Sequence, residues 1–107
     1  MDFLKFLQDN APLNKNIVIV FQDQRNESIT TGKQFVDSIV VFTKSRILVD
    51  ILRTIAHEWI HILQDSDPQI SNKSQREIED HANSLGGYLI RKFQKENPHH
   101  EVEIHKD

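Results

Sequence analysis

The chain contains no cysteine. That absence excludes a disulfide framework and any thiolate metal site, leaving histidine and carboxylate as the available metal donors. Glycine and proline are scarce, three of each in 107 residues, which excludes a collagen-like or low-complexity chain. There is no basic excess either. Thirteen Lys and Arg stand against sixteen Asp and Glu, for a net charge of -3 and a pI near 6.0, so the electrostatic footprint of a nucleic-acid binder is missing. No apolar run approaches the roughly 18 residues of a membrane span. The start, MDFLKFLQDN, intersperses charged with apolar residues and lacks the apolar core of a signal peptide. A soluble cytoplasmic protein with neither nucleic-acid nor membrane partners is expected. The length suits one hydrophobic core, and a single domain over 1–107 with a flexible tail at 97–107 is expected.

What is present divides into strand-like and helix-like periods. Phe3, Leu4, Phe6 and Leu7 have helical spacing and predict a short N-terminal helix over 2–9, ended by the turn-rich NAPLNKN. IVIVFQ (17–22) reads as a buried strand and QFVDSIVVFT (34–43) as a second. Between them, Ser28 to Thr30 is a candidate short strand and Thr31-Gly32 a turn. The sheet is expected to have two or three strands, paired antiparallel. From about Ser45 to Gln64 the period becomes helical. DSDPQISNKS (65–74) reads as a loop, and a second long helix follows over 75–95. Ser74 and Glu77 have the spacing of a capping box at its start. Val102 and Ile104 alternate as in a weak edge strand. The expected fold is α+β: a small sheet packed with a metal-binding helix, a following helix that carries a glutamate ligand, and the short N-terminal helix.

Inside the first long helix lies HEWIH. At about 100° per residue, Ile51, Leu52, Ile55, Ala56, Trp59, Ile60, Ile62 and Leu63 fill one half of the wheel. Asp50, Arg53, Thr54, His57, Glu58, His61, Gln64 and Asp65 fall in the other half. His57 and His61 sit about 40° apart, one turn from each other, so both imidazoles can reach one ion. Glu58 is about 60° from His61, placed for work on water rather than for ligation. The plainer alternative is an amphipathic helix whose polar face happens to carry two histidines.

A catalytic zinc needs a third protein ligand and an open position. Downstream, Gln64 and Asp67 occupy the places where a metzincin has glycine and histidine, which excludes that subclass. In the second helix Glu77 points to solvent and Asp80 lies beyond the apolar arc. Glu79 falls within that arc, where a carboxylate is unfavourable unless paired or bound to metal, and it is the selected ligand; the alternative is a boundary residue reaching solvent. Asn83, one turn on, either hydrogen-bonds a ligand histidine and sets its tautomer or is a surface amide.

TIAHEWIH followed by Glu79-Asp80-His81-Ala82-Asn83-Ser84-Leu85 resembles the gluzincin zinc metallopeptidases, most closely the minigluzincins and ImmA/IrrE-type peptidase domains. The similarity covers about residues 51 to 93. It implies His57, His61 and Glu79 as zinc ligands, Glu58 as general base, Asn83 as support for the first histidine, and a peptide or protein as substrate. There are departures. Trp59-Ile60 replaces the common Leu-Gly, and Gly86-Gly87 stands in place of alanines, which suggests close approach to the HEWIH helix. No tyrosine or histidine is identified for the oxyanion: Tyr88 falls opposite Glu79, and His81 is expected to point away from the ligand. Strand 34–43 is a candidate edge for an extended peptide. The rival readings are an inert zinc-binding domain of the same fold acting through protein partners, and a metal-free interaction protein. His99, His100 and His105 form either a solvated tail or an arm over the cleft that imposes zymogen-like latency. Self-association into a homodimer is left open.

Overall fold

The computed structural model describes residues 2–22, 32–35, 37–44 and 46–97. The expectations at Ser28 to Thr30 and in the tail beyond Asn97 lie outside these. The order of elements is α1 (Asp2–Asn10), β1 (Val18–Gln22), β2 (Gly32–Gln34), β3 (Ser38–Phe42), α2 (Leu48–Asp65), α3 (Pro68–Ser71) and α4 (Gln75–Glu96). This is the expected α+β class, a three-stranded sheet with a short N-terminal helix and two long helices.

The sheet differs from expectation in three respects, the first being that β1, expected as a buried strand, is largely exposed, with Val18 at 61% and Phe21 at 50%. QFVDSIVVFT is not one strand but the last residue of β2, a turn and β3. Phe35 N–H donates to Ser38 O at 2.7 Å, closing a turn, and β2 pairs antiparallel with β3 with Gln34 opposite Ile39. The β-branched and aromatic residues on both sides of Asp37 hide this turn from a propensity reading. The order is β1-β3-β2, and β1 runs parallel to β3 with Ile19 opposite Ile39. The sheet is therefore mixed. Gly32 opens β2, and its expected turn partner Thr31 lies outside the described residues.

Apolar spacing places the helices. Phe3 and Leu7 of α1 are fully buried, and Phe3 and Phe6 set their rings edge-on to Phe93 of α4 at 4.9 and 5.3 Å. The Trp59 indole N–H of α2 donates to Ala11 O at 2.8 Å, tying the end of α1 to the back of α2. Ile39 and Val41 of β3 join Ile51, Leu52, Ile55 and Ile60 of α2 and Leu89, Ile90 and Phe93 of α4 in one core.

Helix α2 starts without a side-chain cap at Ile47. Arg46 spans the junction instead, donating to Phe42 O at 2.7 Å, to Asp50 O at 2.8 Å and to the Thr54 hydroxyl. The expected loop at 65–74 contains the single turn α3. Asp67 accepts from Gln69 N–H as its N-cap, and Pro68 takes the first helical position, where its missing N–H costs nothing. Ser74 caps α4: its hydroxyl accepts from Glu77 N–H at 3.3 Å and donates to the Glu77 carboxylate at 3.2 Å. Among the described residues, no helix is long and apolar enough to cross a membrane.

Candidate metal centre

Only part of the polar half of α2 is its wet side: Asp50, Arg53 and Asp65 are exposed. Thr54, Glu58, His61 and Gln64 are all buried, Gln64 to 1% exposure. β2 covers one flank, because a Cβ built on Gly32 would lie 2.6 Å from Thr54 Cγ2 and 3.5 Å from Glu58 Cγ. Helix α4 covers the other. A Cβ on Gly86 would sit 3.6 Å from the backbone nitrogen of His57, an ordinary contact, so the helices pack together there without an approach that requires glycine. Gly87 does not take part; its nearest neighbour is the Arg91 side chain.

This packing brings Glu79 of α4 to the two histidines. His61 Nε2 lies 3.0 Å from His57 Nε2 and 3.1 Å from Glu79 Oε1, and His57 Nε2 lies 3.4 Å from Glu79 Oε2. Donors about 2.0–2.1 Å from a tetrahedral ion stand about 3.3 Å apart, so the observed triangle has the span that one such ion requires. The three residues form a group that can hold a metal ion. His61 is the enclosed corner, while His57 and Glu79 are partly exposed and leave the triangle open to solvent on their side. Glu77 stays at the cap, and Tyr88 is exposed, as expected.

The electrostatics separate two roles. Burial lowers the His57 pKa, and neighbouring His61 lowers it further; Glu79 and Asn83 oppose this. His57 is thereby favoured as a neutral donor. Burial raises the Glu58 pKa, with Glu79 adding to the rise and His61 opposing it. Glu58 Oε2 is buried and has no hydrogen-bond partner among the described residues. A buried acceptor without a partner is uncommon and calls for an explanation such as water or a ligand. It lies on a cleft of about 450 Å³ whose walls include Arg46, Thr54, His57, Glu58 and Asn83.

Asn83 is exposed and lines the same cleft as His57, where it acts to raise the His57 pKa, so both the supporting role and the surface amide stay open. Two neighbours escaped the sequence reading. Gln64 Oε1 lies 2.8 Å from His61 Nδ1, and Gln64 Nε2 lies 2.7 Å from His81 Nδ1. His81, expected to point away, thus reaches the ligand set through Gln64. The available signal was the position of Gln64 one turn after His61 on the same polar stripe. Among the described residues lining the cleft there is no tyrosine, and its one histidine is His57. The histidines of the tail lie outside the described residues. No family model matches the chain, nor does any curated protein or any solved structure.

Proposed function

We propose that this protein is a zinc-dependent metallopeptidase of the gluzincin kind, with His57, His61 and Glu79 as ligands and Glu58 as general base. The observation that carries the reading is the juxtaposition of the donor triangle with a buried carboxylate oxygen that has no partner. Two imidazoles and one carboxylate, without thiolate, are the donor set of a catalytic zinc that keeps a position open. Zinc held there supplies Lewis acidity, which acidifies water and polarises a carbonyl.

The chain's own residues do the rest. Glu58, its pKa raised by burial, accepts a proton from the attacking water and returns it to the leaving amine. Asn83, which lines the cleft with His57, is assigned to support its ring. The edge offered to an extended peptide is that of β2, not of β3, which is the central strand. β2 lies against Thr54 and Glu58, so a segment added along its outer edge runs past the cleft.

The experiment is metal analysis of protein purified without an affinity tag, followed by peptide hydrolysis by wild type and Glu58→Gln. Near-stoichiometric zinc in both, with hydrolysis in the wild type alone, is expected. Absence of zinc with no uptake on titration refutes the proposal. Equal zinc content with no hydrolysis in either supports the second reading, an inert zinc-binding domain acting through protein partners. The observation favouring that reading is the lack of a tyrosine or second histidine among the described cleft residues to receive oxyanion charge.

A further inference from the structure

We propose that Gln64 is a positioning residue that sets the tautomer of His61 and is itself set by the backbone carbonyl of Ile78. The inference deepens the reading of His61 as a ligand and rests on it for its functional meaning. It begins with an amide whose two ends are chemically distinct but alike in shape. Gln64 Nε2 lies 3.0 Å from Ile78 O. A carbonyl oxygen only accepts, so the atom facing it must be the amide nitrogen. The other end, Oε1, is then an acceptor facing His61 Nδ1 at 2.8 Å. It follows that His61 Nδ1 carries the hydrogen and donates it to Gln64. The second amide hydrogen goes to His81 Nδ1 at 2.7 Å, which accepts. Both hydrogens of the Gln64 amide and its oxygen are used, in a side chain 1% exposed.

With the hydrogen on Nδ1, neutral His61 presents a lone pair from Nε2 towards His57 and Glu79. A ligand atom needs that lone pair. Glu79 opposes it when no metal is present, since a carboxylate oxygen 3.1 Å from His61 Nε2 draws the imidazole hydrogen to Nε2. Gln64 and Glu79 thus compete for one hydrogen at the two nitrogens of one ring. Gln64 has the advantage of rigidity, because a helix backbone fixes it, whereas the Glu79 side chain is 42% exposed. Ile78 also directly precedes Glu79, so the contact that orients Gln64 sets the register of α4 at the ligand.

Nitrogen-15 NMR of the histidine rings in the metal-free protein, at mildly alkaline pH where imidazoles are neutral, reads the tautomer directly. Zinc alone, titrated against a chromogenic chelator, reads affinity. Wild type should show His61 with hydrogen on Nδ1. Gln64→Met, similar in shape but without an acceptor, should move the hydrogen to Nε2 and weaken zinc binding about 10–100-fold. Gln64→Glu keeps an acceptor for His61 Nδ1 and should retain the Nδ1–H form, but its second oxygen faces Ile78 O with no hydrogen to donate, so a lower unfolding midpoint than wild type is expected. A wild-type His61 carrying its hydrogen on Nε2 overturns the proposal even if Gln64→Met does not fold. Equal affinity in Gln64→Met and wild type overturns it as well. A wild type with the expected tautomer but no zinc uptake refutes the metal-centre reading and leaves the amide's hold on His61 standing.

Discussion

Gly32 tests the packing that closes the site, because alanine there and alanine at Gly86 should act in opposite directions. At Gly32 the added Cβ meets Thr54 Cγ2 at 2.6 Å and Val40 O at 3.2 Å. Carbon atoms in contact prefer about 3.5–4.0 Å, so strand and helix must part by about 1 Å. Thr54 cannot swing aside freely, since its hydroxyl donates to Asp50 O at 3.0 Å and accepts from Arg46. Overpacking of this kind costs about 1–3 kcal/mol. The smaller conformational freedom of alanine in the unfolded chain returns about 0.4–1 kcal/mol. Gly32→Ala should therefore lose about 1–2 kcal/mol, lowering Tm by roughly 4–8 °C per kcal/mol in a domain near this size. At Gly86 the nearest atoms are at 3.6–3.8 Å, ordinary contact. Gly86→Ala should gain about 0.5–1 kcal/mol, the helix-interior difference between the two residues. Thermal and urea unfolding of metal-free protein measure both. A Gly32→Ala protein as stable as wild type, or more so, refutes the placement of β2 against the site helix.

Two further outcomes follow from buried groups. Burial holds the Glu58 pKa above the ordinary glutamate range, so this group's contribution to stability is full below that range and is lost as pH rises through its folded value. Metal-free Glu58→Gln should thus be more stable than wild type at neutral pH, on the order of 1 kcal/mol, with the gap closing under acid; urea titrations at both pH values check this, and a less stable variant at neutral pH contradicts it. Trp59→Phe removes the indole donor from Ala11 O and should cost about 1–3 kcal/mol. Zinc affinity should stay unchanged, because the bond lies on the back of α2; a parallel fall in affinity would show that α1 sets the donor geometry.

Helices and strands were unequally legible. The 3.6-residue period located α2 and α4 to within a few residues at their starts and ends, and Ser74 with Glu77 marked the start of α4. The same wheel picked Glu79 out of several acids, and that residue does meet His57 and His61. A wheel gives directions on one helix, however, and not what lies opposite. The burial of Thr54, Glu58 and Gln64 comes from β2 and α4, so the centre of a polar half that reads as solvent-facing is packed, while Asp50, Arg53 and Asp65 at its margins stay exposed. The Gln64 link to His81 depends on how two helices are set against each other, which neither segment encodes alone. Strand partners are likewise non-local. The parallel pairing of β1 with β3 arises because the hairpin places β2 on the far edge. The turn within 34–43 was masked by residues that favour strands on either side.

The three donors come from consecutive long helices joined by α3, whereas the strand packed against Thr54 and Glu58, β2, comes from an earlier part of the chain. On the function proposed above, ion capture and substrate presentation are therefore separable modules. Changes in the hairpin can abolish presentation while the helical pair keeps its donors, and Glu58 can be exchanged without touching either. A lineage with this architecture can trade an enzyme for a binding protein through substitutions at the hairpin or at one carboxylate, with the helical frame intact.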